Sequence, residues 1–200
     1  MTIDIDIIAE AGGFKLNARF RAAGIINVTG ENGSGKTFLL RCIAGLASCQ
    51  GSRVIVNGRD VSFYPPERRS IVYASQNSYF MSMTSDRHIV YGIDTTRFDR
   101  SAVSEVTEGL MIPLGKRMSQ LSQGQRMRVA IATALLSGKE VLLLDEVISN
   151  LSDGRDVMSF LREFSKKNGL DLMIVSHGYS VPEADLLVRM NMGTATLEPP

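Results

Sequence analysis

The run Gly30-Glu31-Asn32-Gly33-Ser34-Gly35-Lys36-Thr37 fits the pattern G-x-x-x-x-G-K-[S/T] at every fixed position. The residues before it, Ile25-Ile26-Asn27-Val28-Thr29, read as a short buried strand. Those after it, Phe38-Leu39-Leu40-Arg41-Cys42-Ile43-Ala44-Gly45-Leu46, read as a helix. A glycine-rich turn between a strand and a helix has a definite chemistry. Its glycines let backbone N–H groups converge on a small concavity without Cβ clashes. The helix N-terminus adds partial positive charge. Lys36 supplies a full charge for β- and γ-phosphates, and the Thr37 hydroxyl is a ligand for Mg²⁺. The bland alternative is a glycine-rich loop with a chance lysine, which the strand–loop–helix context argues against. Alone, the motif points only to a nucleoside triphosphate.

The flanking patterns set the fold class. Ile3, Ile5 and Ile7 alternate with Asp4 and Asp6, and residues 14–20 alternate again after a Gly12-Gly13 turn. Arg53-Val54-Ile55-Val56, an Asn57-Gly58 turn and Val61-Ser62-Phe63 predict a hairpin, ended by Pro65-Pro66. Residues 70–74 predict a further strand, ending at Ser75-Gln76. Short helices are expected at 85–91 and 101–110. Ser122 and Gln125 have capping-box spacing before a helix at 126–136, with Met127, Ile131, Ala134 and Leu135 on one face. Val141-Leu142-Leu143-Leu144 is the continuous apolar run of a strand covered on both faces. An amphipathic helix at 153–167 and a buried strand at 170–175 follow, and 186–190 and 194–197 read as edge strands. The alternation argues an α/β chain with a largely parallel sheet and flanking helices.

Composition narrows the partners. The formal charge of +1 and the absence of a Lys/Arg run argue against a nucleic-acid footprint. No apolar stretch is long enough to cross a bilayer, and residues 1–6 lack the features of a secretory signal. Cys42 and Cys49 make neither a metal pattern nor a disulfide framework, so a reduced, cytoplasmic protein is expected, with any membrane served through a partner.

In open α/β sheets, ligands sit beyond the carboxyl ends of strands. Four polar features fall at such ends: the phosphate loop, Gln76, Asp145-Glu146 and His177. Asp145, directly after four core residues, takes a common Mg²⁺ position in phosphate-loop enzymes. Glu146 is then the group that orients attacking water. Gln76 and His177 are each ordinary alone, a surface glutamine and a structural histidine; the order of all four raises them together.

With these residues in place, the chain resembles the ATP-binding subunit of an ABC transporter along essentially its whole length. Residues 30–37 resemble Walker A, and 141–146 resemble Walker B with the family's catalytic glutamate. Gln76 resembles the Q-loop, His177 the switch histidine, and Leu121-Ser122-Gln123-Gly124-Gln125 the signature motif that ordinary phosphate-loop proteins lack. Residues 149–152 stand where the D-loop stands. The resemblance implies a RecA-like phosphate-loop fold, with an N-terminal antiparallel β subdomain and a helical signature subdomain at roughly 77–135, all within one domain over 1–200. It implies ATP and Mg²⁺ as cofactors, with Lys36, Glu146 and His177 catalytic and Thr37, Gln76 and Asp145 around the metal. Phe14 would stack on adenine, and residues 30–38 would hold the phosphates. Ser122, Gly124 and Gln125 would contact ATP bound by a second, head-to-tail ATP-binding subunit. The other implied partners are transmembrane permease subunits and a solute-binding protein.

Residues 66–69 and 83–93 resemble importer ATPases for oxyanions of the molybdate/tungstate type. Five positions depart from the family pattern: Phe38 for a second hydroxyl, Gln123 for a signature glycine, Val147 for proline, Ser152 for the D-loop aspartate and Gly178 for an acid. A soluble ABC ATPase and a weakened regulatory subunit are the competing expectations.

Overall fold

Alternating and continuous apolar runs fold here into one sheet with different surroundings at its two ends. A computed structural model describes residues 2–49, 51–149, 151, 153–176, 181 and 184–198. Its strands are β1 (Ile3–Ala11), β2 (Phe14–Ala22), β3 (Ile25–Thr29), β4 (Arg53–Val56), β5 (Arg59–Asp60), β6 (Ile71–Ser75), β7 (Val141–Asp145), β8 (Asp171–Val175), β9 (Leu186–Asn191) and β10 (Thr194–Glu198). Its helices are α1 (Lys36–Ala44), α2 (Ser85–Tyr91), α3 (Arg100–Gly109), α4 (Gln123–Leu135) and α5 (Gly154–Asn168). The strands lie in the order β5-β4-β1-β2-β10-β9-β3-β8-β7-β6.

Strands β3, β8, β7 and β6 pair in parallel, and β1, β2, β4 and β5 pair antiparallel. β10 joins the two regions, antiparallel to β9 and parallel to β2, so the antiparallel part continues the same sheet. β9 and β10 are therefore interior strands, contrary to the edge positions expected for them. The hairpin after α1 also differs from expectation. Its return strand is only Arg59–Asp60, because Ser62 leaves the ladder. The Ser62 hydroxyl accepts the Val54 N–H at 2.8 Å, and the Ser62 N–H donates to Asp60 Oδ1 at 3.0 Å. Val61 to Phe63 form a turn instead.

The four-residue apolar run of β7 explains itself in the packing. Leu142 and Leu144 enter the core shared with α4 and α5, while Val141 and Leu143 enter the core shared with α1 and β1. Both faces are dry, so the strand is apolar throughout until it ends at Asp145.

The two cysteines are paired, which corrects the reduced reading: Cys42 and Cys49 form a disulfide with Cα atoms 6.0 Å apart. The cause is the end of α1. Gly45 adopts φ 77°, and the N–H groups of Leu46 and Ala47 both return to the Arg41 carbonyl. That left-handed turn folds the chain back on the helix and brings Cys49 to Cys42. Among the described residues no helix is long and apolar enough to cross a membrane.

Candidate functional site

The phosphate loop is shaped by close approach. A Cβ on Gly30 (φ 146°) would lie 2.2 Å from the Met190 carbonyl oxygen and 2.7 Å from Ser34 Oγ. One on Gly35 (φ 103°) would lie 2.9 Å from the Phe14 ring. The Ser34 N–H donates to the Glu31 carbonyl at 3.1 Å, and the Leu39 N–H donates to Gly35 at 2.8 Å as α1 begins. Ser34 Oγ is buried and has no hydrogen-bond partner among the described residues. Lys36 is only 4% exposed. Its ammonium donates to the carbonyls of Gly30 at 2.7 Å and Glu31 at 2.8 Å, which leaves the third of its donors for an anion. Burial lowers the Lys36 pKa, and the nearby carboxylates of Glu146 and Asp145 oppose that shift. A spare ammonium donor and a helix N-terminus beside a concavity opened by Gly33 and Gly35 fit a phosphate chain.

The carboxylates meet the loop from the neighbouring strand ends. Asp145, the last residue of β7, is 5% exposed. The Thr37 hydroxyl donates to its Oδ1 at 3.2 Å, and the Tyr73 hydroxyl donates to its Oδ2 at 2.6 Å. Burial, then the bond to Asp145, raises the Tyr73 pKa, so this phenol stays protonated. Glu146 turns sharply, with φ 60° and its N–H on the Val175 carbonyl at 3.2 Å. A left-handed φ at such a residue is worth of order 1–3 kcal/mol of strain, held here by the surrounding strand ends. The Gln76 amide donates to Glu146 Oε2 at 3.3 Å. A hydroxyl and a carboxylate oxygen side by side fit Mg²⁺, which takes one or two protein oxygens and keeps the rest of its shell for phosphates and water.

Beside the loop lies a cleft of about 530 Å³, whose walls include Ala11, Phe14, Phe38, Arg41 and Glu146. The Phe14 and Phe38 rings meet edge to face, 6.3 Å apart. Phe38, which stands where the family has a hydroxyl, therefore adds an aromatic wall. No residue of the 121–125 motif lines this cleft. That motif caps α4 instead: Ser122 Oγ accepts the Gln125 N–H at 3.2 Å, and Gln125 Oε1 accepts the Ser122 N–H at 3.0 Å. Ser122 and Gln123 are exposed. His177, Gly178, Asn150 and Ser152 lie outside the described residues.

A family model described as ABC transporter matches residues 14–149. The chain belongs to the ABC transporter family of ATP-binding domains. It is 38% identical over 198 residues to a molybdenum import ATP-binding protein of Rhodobacter capsulatus, covering 91% of this chain and 54% of that protein. It is 34% identical over 190 residues to an uncharacterized ABC transporter ATP-binding protein of Sinorhizobium fredii, covering 89% of this chain and 56% of the relative. An Fe(3+) ions import ATP-binding protein of Brucella melitensis is 33% identical over 180 residues, covering 84% of this chain and 51% of its own length. The chain thus spans about half the length of the curated relatives it matches. A solved ATP-binding cassette of an ABC transporter superposes with TM-score 0.85 at 21% identity, over 98% of this chain and 90% of that one, which places the fold.

Three residues at the site escaped the motif reading. Arg41 lines the cleft one helical turn after Phe38, a spacing visible in the sequence. Gly193 donates its N–H to the Ser34 carbonyl at 3.0 Å, and nothing local in the sequence ties a turn between β9 and β10 to the phosphate loop. Tyr73 shares a strand face with Ser75, the register partner of Asp145, and that parity was the available signal.

Proposed function

We propose that this chain is the ATPase subunit of an ABC importer, hydrolysing ATP between two head-to-tail ATP-binding subunits. The observation that carries the reading is the convergence of Thr37, Asp145, Glu146 and Gln76 beside a phosphate loop whose lysine keeps a donor for an anion. In this reading the 30–37 backbone and Lys36 hold the β- and γ-phosphates, and Phe14 and Phe38 flank the base. Thr37 and Asp145 hold Mg²⁺, with Gln76 beside them. The chemistry the cation supplies when bound is neutralisation of charge on the phosphate oxygens. Glu146, fixed by its left-handed turn and by Gln76, orients water for in-line attack. His177 is assigned as the donor to the γ-phosphate.

The cleft holds half a site, and Ser122, Gly124 and Gln125 of a second copy or a paralogue supply the other half. The exposure of Ser122 and Gln123 supports this. Permease subunits would dock beside the Gln76 loop. There Phe80, Met81 and Tyr91 are 54%, 47% and 71% exposed, an apolar surface of the kind that seeks a partner. Through them the chain sits on the cytoplasmic face of a membrane, served by a solute-binding protein. The relatives' cargos, molybdenum and Fe(3+), are small inorganic ions, and an oxyanion of the molybdate/tungstate class is our assignment. We treat residues 1–200 as one ATPase domain with helical residues 77–135 as its signature part.

The test is Glu146→Gln. Purified protein should turn over ATP with Mg²⁺, and the variant should lose about 10²–10³ in rate, the usual scale for a preorganised group at the reacting centre. With ATP the variant should elute as a dimer, while wild type reverts to monomer as ATP is consumed. A protein that binds no ATP, or a variant that keeps full turnover, ends this reading.

A further inference from the structure

We propose that Tyr73 is a positioning residue for the metal site: its hydroxyl fixes the Asp145 carboxylate so that one oxygen is held for the cation beside Thr37. This inference rests on the Mg²⁺–ATP reading of the same site. The sheet builds the contact. β6 and β7 pair in parallel, with Tyr73 opposite Leu143 and Ser75 opposite Asp145. Tyr73, Ser75, Leu143 and Asp145 therefore share one face, and the long phenol reaches its diagonal neighbour. Tyr73 OH bonds Oδ2 at 2.6 Å, and Thr37 Oγ1 bonds Oδ1 at 3.2 Å. A carboxylate held at both oxygens has one orientation, with Oδ1 kept on the phosphate-loop side.

The two bonds differ in what a cation does to them. The Thr37 hydroxyl and Oδ1 are both hard oxygen donors and would be the groups that hold a cation, at the expense of their own hydrogen bond. The Tyr73 bond lies on the other oxygen and survives. It acts as a partner behind a metal ligand, and removing such partners typically weakens metal binding by about 10–100-fold. Tyr73 is half-buried, and its ring packs against the core that contains α1, so the hydroxyl is presented from a fixed platform. Phenylalanine keeps that ring and removes only the donor.

The experiment uses Tyr73→Phe with Mn²⁺ and ADP as probes, which excludes turnover. ADP affinity is first measured in EDTA by calorimetry. Mn²⁺ affinity of the ADP complex is then read from the free-ion electron paramagnetic resonance signal. We expect ADP binding in EDTA within about twofold of wild type, and Mn²⁺ binding weaker by about tenfold. The half-saturating Mg²⁺ for ATP turnover should rise in parallel, with kcat at saturating Mg²⁺ within about threefold. Unchanged or tighter Mn²⁺ binding by the variant, with ADP binding intact, overturns the inference and leaves the nucleotide reading standing. Equal weakening of both affinities also overturns it, since that marks a general loosening of the loop. Wild-type protein that takes up neither ADP nor Mn²⁺ overturns the nucleotide reading and this inference with it.

Discussion

Arg128 on α4 reaches across to the start of α5 and pairs with Asp153 through Nη2. Its Nη1 donates to the Leu110 carbonyl at 2.9 Å, just past the end of α3. One guanidinium thus ties together three helices and the segment that follows Glu146. Arg128→Met keeps most of the side-chain stem and removes both bonds. The side chains are 11% and 21% exposed, so the pair lies between two known limits. Breaking a fully buried pair costs about 3–5 kcal/mol, and an exposed pair contributes about 0–1 kcal/mol. Water reaches Asp153 in part, so we expect about 2 kcal/mol from the pair. A further ~1 kcal/mol follows from the lost bond to Leu110. For a domain of this size the melting temperature should fall by about 6–12 °C, at roughly 2–4 °C per kcal/mol. Asp153→Asn should cost about 2 kcal/mol and the double variant about 3 kcal/mol, a coupling of about 2 kcal/mol. Urea unfolding of the four proteins measures it, with unchanged m-values as the check that the denatured states are alike. Arg128 also holds the Asp153 pKa below the usual carboxylate range. The pair's contribution is therefore present above that range and is lost as pH falls through the depressed value, so the gap between wild type and Arg128→Met should narrow in acid to the roughly 1 kcal/mol of the Leu110 bond. Additivity of the two single variants within about 0.5 kcal/mol at neutral pH would refute the reasoning.

Asp171 gives a pH dependence of opposite sign. It is 3% exposed, its Oδ1 accepts the Gly24 N–H at 2.7 Å, and burial raises its pKa. A raised acid favours the fold while protonated, so stability is full below the ordinary carboxylate range and falls as pH rises through the raised value. Asp171→Asn keeps the acceptor and loses the titration, so its melting temperature relative to wild type should rise between pH 4 and pH 8; a gap independent of pH refutes this. The disulfide closes a loop with a sequence separation of 7, for which chain entropy gives about 2.5 kcal/mol. Dithiothreitol should lower the melting temperature by about 5–10 °C in wild type and leave Cys49→Ser unmoved; equal response of both proteins removes the disulfide from the account.

What the sequence made legible was chemistry that is local along the chain. The phosphate loop is a backbone conformation, and its glycines record that conformation directly. The capping box of Ser122 and Gln125 formed both of its bonds, because its two partners are three residues apart. The two-sided burial of β7 showed in four successive apolar residues. What stayed hidden depended on groups distant in sequence or on a single competing bond. β9 and β10 look like edge strands because their flanking partners, β2 and β3, lie far upstream. Val61 to Phe63 alternate as a strand does, yet one serine hydroxyl taking the Val54 N–H ends the ladder. The cysteine pair depended on the left-handed turn at Gly45.

The same distinction runs through the site. Motif order along the chain pointed to the groups we assign to phosphate and metal, and sheet register decided what holds those groups still. Tyr73 and Asp145 are 72 residues apart, and only the pairing of β6 with β7 sets one against the other. Glu146 is fixed the same way, by Gln76 from the end of β6 and by the Val175 carbonyl from the end of β8. The phosphate loop therefore does not act as an isolated anion cradle. Its lysine closes on its own carbonyls, its threonine leans on β7, and its Ser34 carbonyl is held by Gly193. A nucleotide entering this frame meets groups that two adjacent strands already orient, which is the condition for charge stabilisation without reorganisation. The motif at 121–125 is outside that frame, its Ser122 and Gln125 bonded to each other at the start of α4.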